Sequence, residues 1–174
     1  MDKGLDFLRS QVNNAIMAHQ SFVDALKSHA DEADDPRYRD LCQRYIPIMQ
    51  EHQVALESYQ RELGADSGVV KKVIGKMAGA ARGLADVARE DDFLRLVGDI
   101  VLARQGEDTF KTFREGGRIL GNTRLAEIGE TGERQHDSYV RDANRLVQAM
   151  FVERVRGVDR EVPLGVGEQP RPAV

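Results

Sequence analysis

Four long stretches of the chain carry apolar residues at spacings of three and four, the pattern of helices that bury one face. Alternating β-branched runs are lacking and tryptophan is absent. Pro36 follows an acidic run, and Gly64 and Gly121 follow the second and third stretches, as residues that end helices do. The predicted fold class is therefore all-α, a bundle of four helices. Their predicted ranges are 4–33, 36–63, 93–120 and 123–155.

The connection between helices two and three is far longer than two antiparallel neighbours need. It contains an amphipathic stretch, about residues 68–90, with apolar residues on one side and lysines elsewhere. Basic amphipathic helices can bind membrane surfaces, but a crossover from one end of a bundle to the other needs about this length. We therefore expect an extra crossover helix, with helices two and three parallel.

Length and charge limit the classes of function. The 174 residues predict one domain, residues 1–156, followed by a flexible tail, residues 157–174. The net charge is −4 with the two signs mixed, which argues against nucleic acid as a partner. The single cysteine, Cys42, fits a reducing compartment. Because no signal peptide or apolar run of about 20 residues is evident, we expect a cytoplasmic protein without a membrane span.

The predicted core rows, the residues facing the bundle axis, contain a few polar exceptions. Each helix has one metal-capable residue near its middle: His19, His52, Glu107 and His136. Glu133 lies one helical turn before His136, on the same face. The middles of antiparallel helices of similar length lie in one layer, so these five side chains are predicted to converge on a metal ion. A hydrogen-bonded core network without metal is the alternative.

Other candidate residues are less specific. Tyr59 and Tyr139 lie one or two turns from the predicted ligands, as redox tyrosines or as core residues with a satisfied hydroxyl. His29 is expected at the rim of the bundle, and Thr123 as the cap of helix four. The sequence contains no glycine-rich phosphate loop, nucleophile elbow or paired cysteine motif.

At this point the chain resembles the ferritin-like superfamily. The resemblance covers about residues 5–155 and rests on four long helices, the long crossover, Glu107, and Glu133-x-x-His136. The run from VIGKMAGAARGLADVARED through LARQGEDTF is most similar to the bacterial YciE/YciF-type, stress-associated ferritin-like proteins. Such a family implies a metal ion in the bundle core and redox or stress-related metal chemistry.

Two departures from the diiron pattern of that superfamily change the expected site. His19 stands where the pattern has a glutamate on helix one, and Met49-x-x-His52 stands where it has Glu-x-x-His on helix two. The expected site is one ion held by three imidazoles and one or two carboxylates. Iron or manganese is expected, and zinc is also compatible. Such a site would lack some of the carboxylates that the diiron pattern supplies for ferroxidase activity.

Two functions remain open from the sequence. One is a ferritin-like metal-binding protein, including a metal-dependent oxidoreductase acting on oxygen or peroxide. The other is a metal-free structural or stress protein that acts through a partner or through self-association, such as a homodimer. The tail segment VPLGVGEQ resembles the peptides that direct ferritin-like cargo into encapsulin shells, so a shell protein is a further expected partner.

Overall fold

The computed structural model describes residues 3–64 and 91–158 as four α-helices. Their bounds are Lys3–Glu32 for α1, Pro36–Glu62 for α2, Asp92–Leu120 for α3 and Thr123–Val158 for α4. The all-α class is confirmed for this part of the chain, and α4 continues two residues past the predicted domain end at residue 156. The predicted crossover helix and the encapsulin-type tail peptide lie outside the described residues. None of the four helices is both long enough and apolar enough to span a membrane.

The helix ends follow from local side-chain chemistry. The Asp35 carboxylate accepts a hydrogen bond of 2.8 Å from a backbone amide in the first turn of α2. Gly64 and Gly121 both have φ of 67°, the left-handed conformation that favours glycine after a helix. The predicted Thr123 cap was wrong. Asn122 caps α4 instead, because its Oδ1 accepts from the amide of Leu125 at 3.0 Å.

Contacts at one end of the bundle establish its topology. The amide of Asp35, before α2, donates to the Asp92 carboxylate at the start of α3, at 2.7 Å. Arg37, in the first turn of α2, pairs with Glu153 near the end of α4 at 2.7 Å. Helices α2 and α3 therefore start at the same end and run parallel, as predicted. Because α2 is about 40 Å long, the chain between Gly64 and Asp91 connects opposite ends of the bundle.

The helices are arranged around the bundle axis in the order α1, α2, α4, α3, and α3 packs most extensively against α4. Glycines explain that close approach. A Cβ on Gly129 of α4 would collide with the backbone of Phe110 and Arg114 in α3, and a Cβ on Gly117 of α3 would collide with the backbone of Ala126 in α4. Gly129 and Gly117 thus let the two helices approach closely.

The core row of α3 differs from the predicted one. Its buried positions are spaced by three and four: Leu96, Asp99, Ala103, Phe110, Phe113 and Gly117. Gly106, between Ala103 and Phe110 in that row, lies directly against the core residue His136 of α4. Glu107 is therefore one residue, or about 100°, away from the row to which it was assigned. Close packing on α4 rotates α3 so that a glycine, not a carboxylate, faces the axis.

Candidate functional site

Three imidazoles meet in the middle of the bundle. His19 of α1, His52 of α2 and His136 of α4 are each 3% exposed or less. The ring centroid of His19 lies 5.2 Å from that of His52 and 5.2 Å from that of His136. The structure thus brings together all three histidines that the sequence placed in the core rows. We call these three side chains the imidazole cluster.

Phe110 supplies the contribution of α3 to this layer. Its ring centroid lies 4.6 Å from that of His52, 5.0 Å from that of His136 and 5.8 Å from that of His19. These distances and the tilted or edge-on ring orientations are typical of aromatic packing in cores. The fourth side of the layer is therefore an apolar ring rather than the predicted carboxylate.

Two glycines make room for the imidazole cluster. A Cβ on Gly106 of α3 would overlap the ring of His136, and a Cβ on Gly132 of α4 would lie 2.6 Å from Nε2 of His52. Any larger residue at either position would have to displace a ring from the layer. Gly132 lies in the core row of α4, so apolar spacing in the sequence indicates that it faces the bundle axis. Gly106 could not be identified in this way, because the predicted core row of α3 was the wrong one.

Hydrogen bonds orient two of the rings. Nδ1 of His136 donates to the carbonyl of Gly132 at 2.8 Å, and Nδ1 of His19 donates to Oε1 of Gln53 at 2.9 Å. The Gln53 amide in turn donates to Glu57 at 2.9 Å, which fixes its orientation. A neutral imidazole protonated at Nδ1 carries its free lone pair at Nε2. His19 and His136 therefore hold their acceptor nitrogens at Nε2.

The imidazole cluster is electrically neutral near pH 7. Burial lowers the pKa of His19 to about 4 and the pKa values of His52 and His136 to about 3. Repulsion from neighbouring imidazolium charge lowers the pKa values of His52 and His136 further. Nε2 of His19 and Nε2 of His52 are both buried, and neither has a hydrogen-bond partner among residues 3–64 and 91–158. Native proteins rarely leave such atoms unpaired.

The two predicted carboxylates lie outside the cluster and have other partners. Glu107 pairs with Arg104, one turn earlier on α3, at 2.9 Å. Glu133 pairs with Arg114 of α3. Both glutamates keep about a fifth of their side chains exposed. The structure does not bring either of them to the imidazoles, because each follows, by one residue, the glycine that faces the layer.

Within residues 3–64 and 91–158, no group of three or more His, Cys, Asp or Glu side chains is placed to hold a metal ion. The expected five-ligand set is therefore not assembled in this arrangement. The donor chemistry divides that set into two parts. Three neutral imidazoles, two with unpaired buried Nε2 atoms, suit a transition metal, whereas the glutamates neutralise arginines. Metal binding itself stays a prediction.

A second polar cluster, which the sequence analysis missed, lies nearer the end of the bundle where α3 starts. Asp99 is 1% exposed, and one oxygen of its carboxylate accepts from Tyr38 at 2.6 Å, His29 at 3.0 Å and Tyr139 at 3.3 Å. Burial, and then the nearby Asp99 charge, raises the pKa values of Tyr38 and Tyr139. Asp99 lies three residues after Leu96, so a correct core row would have identified it.

The remaining candidates make the contacts of ordinary core and helix-end residues. Tyr59 accepts a hydrogen bond of 2.7 Å from Asn122, which ties α2 to the turn before α4.

Tyr139 packs against Phe22 at 5.1 Å between ring centroids, and Phe22 packs against His136 at 5.5 Å. A single aromatic ring thus separates the Asp99 cluster from the imidazole cluster. His29, expected at the rim, is partly exposed but bound to Asp99.

Comparison of the chain with protein-family models, with curated proteins and with solved structures found no match in any of the three. The resemblance to the ferritin-like superfamily therefore stays a prediction.

Proposed function

We propose that this protein is a ferritin-like bundle that binds one transition-metal ion through Nε2 of His19, His52 and His136. The observation that carries the proposal is the pair of buried, unpartnered Nε2 atoms on His19 and His52. Leaving a buried polar group unsatisfied costs about 1–3 kcal/mol. The two rings are in contact, so one metal ion bound there would be a partner for both Nε2 atoms.

The orientation of the rings supports the same proposal. Metal-binding imidazoles generally donate their second nitrogen to a carbonyl or carboxylate, which fixes the tautomer. His136 has this arrangement through the Gly132 carbonyl, and His19 has it through Gln53. The low pKa values of the cluster also keep the imidazoles unprotonated, so no proton competes for the lone pairs at neutral pH.

The donor set narrows the choice of metal. Imidazoles without carboxylates favour zinc, copper, nickel or ferrous iron over manganese. Three protein ligands leave a coordination position open, and a bound ion would supply Lewis acidity or, if redox-active, one-electron chemistry there. The rings of Phe110 and Phe22 would keep bulk water from the imidazoles. Glu107 and Glu133 have no ligand role in this proposal while they pair with arginines.

The second candidate is a metal-free bundle that acts through a partner or as a homodimer. Its supporting observation is the packing of all three imidazoles against Phe110, which by itself resembles an ordinary aromatic core layer. In that case the two unpaired Nε2 atoms reduce the stability of the fold, and the packing of the core outweighs that loss. The two candidates differ in whether purified protein takes up metal at the cluster.

Metal content and metal titration separate these candidates. Protein purified without chelator is analysed for metals, and chelator-treated protein is titrated with Co²⁺ and Zn²⁺, with Co²⁺ followed by visible absorption. We expect one ion per chain and at least a hundredfold weaker binding in His52→Gln and His136→Gln. The matched control is His29→Gln, which changes the one histidine outside the cluster. A folded wild-type protein that binds neither ion, or equal binding in His52→Gln, would refute the metal proposal.

A further inference from the structure

One long face of the bundle, formed by α1 and α3, carries no charged side chain in its two outer rows. On α1 the row is spaced by four and three: Phe7, Gln11, Asn14, Ala18, Ser21 and Ala25. On α3 the row has the same spacing: Gly98, Leu102, Gln105, Thr109, Thr112 and Gly116. All twelve residues are exposed or half-buried. We call this surface the α1/α3 face.

The two rows border the same groove. His29, which continues the α1 row after Ala25, contacts Asp99 of α3, and Arg95, three residues before Gly98, approaches the carboxylate of Glu32 on α1 at 3.8 Å. Rows spaced by three and four stay on one side of a helix, so the face runs from these contacts along the bundle.

The α1/α3 face is unusual for a surface in contact with water. Charged residues make up 31% of the chain, and the outer row of α4 includes Glu127, Arg134, Arg141 and Arg145. Large apolar side chains are also exposed on or beside the rows, with Leu94 at 39%, Leu120 at 72% and Phe7 at 67% exposure. An extended uncharged face with exposed apolar residues generally indicates a surface that is covered in the native protein.

The path of the chain identifies an occupant. Residues 65–90 must connect Gly64 at one end of the bundle to Asp91 at the other. An α-helix of 26 residues would span about 39 Å, at 1.5 Å per residue, which matches the roughly 40 Å length of α2. Because α2 and α3 occupy diagonal corners, this stretch has to pass over α1 or over α4.

Charge decides between the two routes. Residues 65–90 include several apolar residues, and a route over α4 would lay them against the charged side chains of its outer row, Glu127, Arg134, Arg141 and Arg145, which are costly to take out of water. The two rows of the α1/α3 face carry no charged side chain, so an apolar segment can cover them without that cost. The segment also has an apolar row of its own, spaced by four and three, in Val73, Met77, Ala80, Leu84 and Val87. We propose that residues 65–90 pack their apolar row along the α1/α3 face, parallel to α1.

The proposal predicts a register that cysteine cross-linking can test. Met77 is at the middle of the segment and Ala18 is at the middle of α1, so the pair Ala18→Cys with Met77→Cys should form an intramolecular disulfide under mild oxidation. Ser138→Cys with Met77→Cys is the matched control, because Ser138 lies in the same layer on the outer side of α4. The native Cys42 thiol is buried and its pKa is raised by burial, so it should not compete.

A disulfide to the α4 position, or no intramolecular disulfide in either pair, would overturn the proposal. A covalent dimer of the Ala18→Cys single variant, with a dimeric mass for the wild type in light scattering, would also overturn it, since a second copy would then cover the face.

Tryptic cleavage gives an independent measurement. The segment has cleavage sites at Lys71, Lys72, Lys76, Arg82 and Arg89. We expect at least tenfold faster cleavage at these sites in Ser21→Arg, which places a charge in the α1 row, while the helix content stays unchanged. Ser58→Arg, on the surface of α2, is the matched control, because both serines make only local hydrogen bonds one turn along their helices. Equal cleavage rates in the two variants would contradict the proposed contact.

Discussion

The imidazole cluster makes a quantitative prediction about acid stability. His19 has a pKa of about 4, and His52 and His136 have pKa values of about 3, against 6.5 in the unfolded chain. Below pH 6.5 the unfolded state therefore binds more protons than the folded state, and stability falls as the pH falls towards 4 and 3. At pH 5 each histidine lowers the free energy of unfolding by about 2 kcal/mol, and the three together lower it by about 6 kcal/mol. The total free energy of unfolding of a typical domain is about 5–15 kcal/mol.

Urea denaturation of chelator-treated protein at pH 7, 6 and 5 measures this loss. The carboxylates with lowered pKa values, such as Asp35 and Asp91, lose their stabilising effect mainly below about pH 4, so they contribute little in this window. Between pH 7 and 5 the free energy of unfolding should fall by about 2 kcal/mol less in His136→Leu than in the wild type. His29→Leu, outside the imidazole cluster, should leave that part of the drop in place. A wild-type change below about 1 kcal/mol would refute the argument that the three rings are buried and neutral.

Two further predictions concern packing and helix capping. Gly132→Ala should destabilise the protein by about 1–3 kcal/mol in thermal denaturation, because the added methyl group collides with His52 and Phe110. Gly157→Ala, near the end of α4 and outside the α1/α3 face, has a Cβ that meets nothing in the described residues and should instead be neutral or stabilising by up to about 1 kcal/mol. Equal losses in the two variants would contradict this reasoning. Asn122→Ala should cost about 1–2 kcal/mol in urea denaturation through loss of the α4 cap, and a larger loss in a Thr123→Ala control would show that the cap was misassigned.

The three histidines of the candidate site were predictable from the sequence, but the two glutamates were not. His19, His52 and His136 each interrupt an apolar row spaced by three and four, so periodicity alone places them in the core. Glu107 lies in a helix where two adjacent rows are both partly apolar, and one includes Ile100 and Glu107. Periodicity cannot choose between such rows, because they differ by only about 100° around the helix axis.

The sequence by itself determined the helices, the glycines that end α2 and α3, and the parallel course of α2 and α3, because these depend on local propensities and on the length of one connection. Only the tertiary structure decided which row of α3 faces the axis, since that depends on how closely Gly129 and Gly132 of α4 let it approach. The same rotation buries Asp99 and moves Glu107 away from the axis, where it pairs with Arg104 of its own helix. Packing between helices, which no local pattern records, thus selected the side chains of the candidate site.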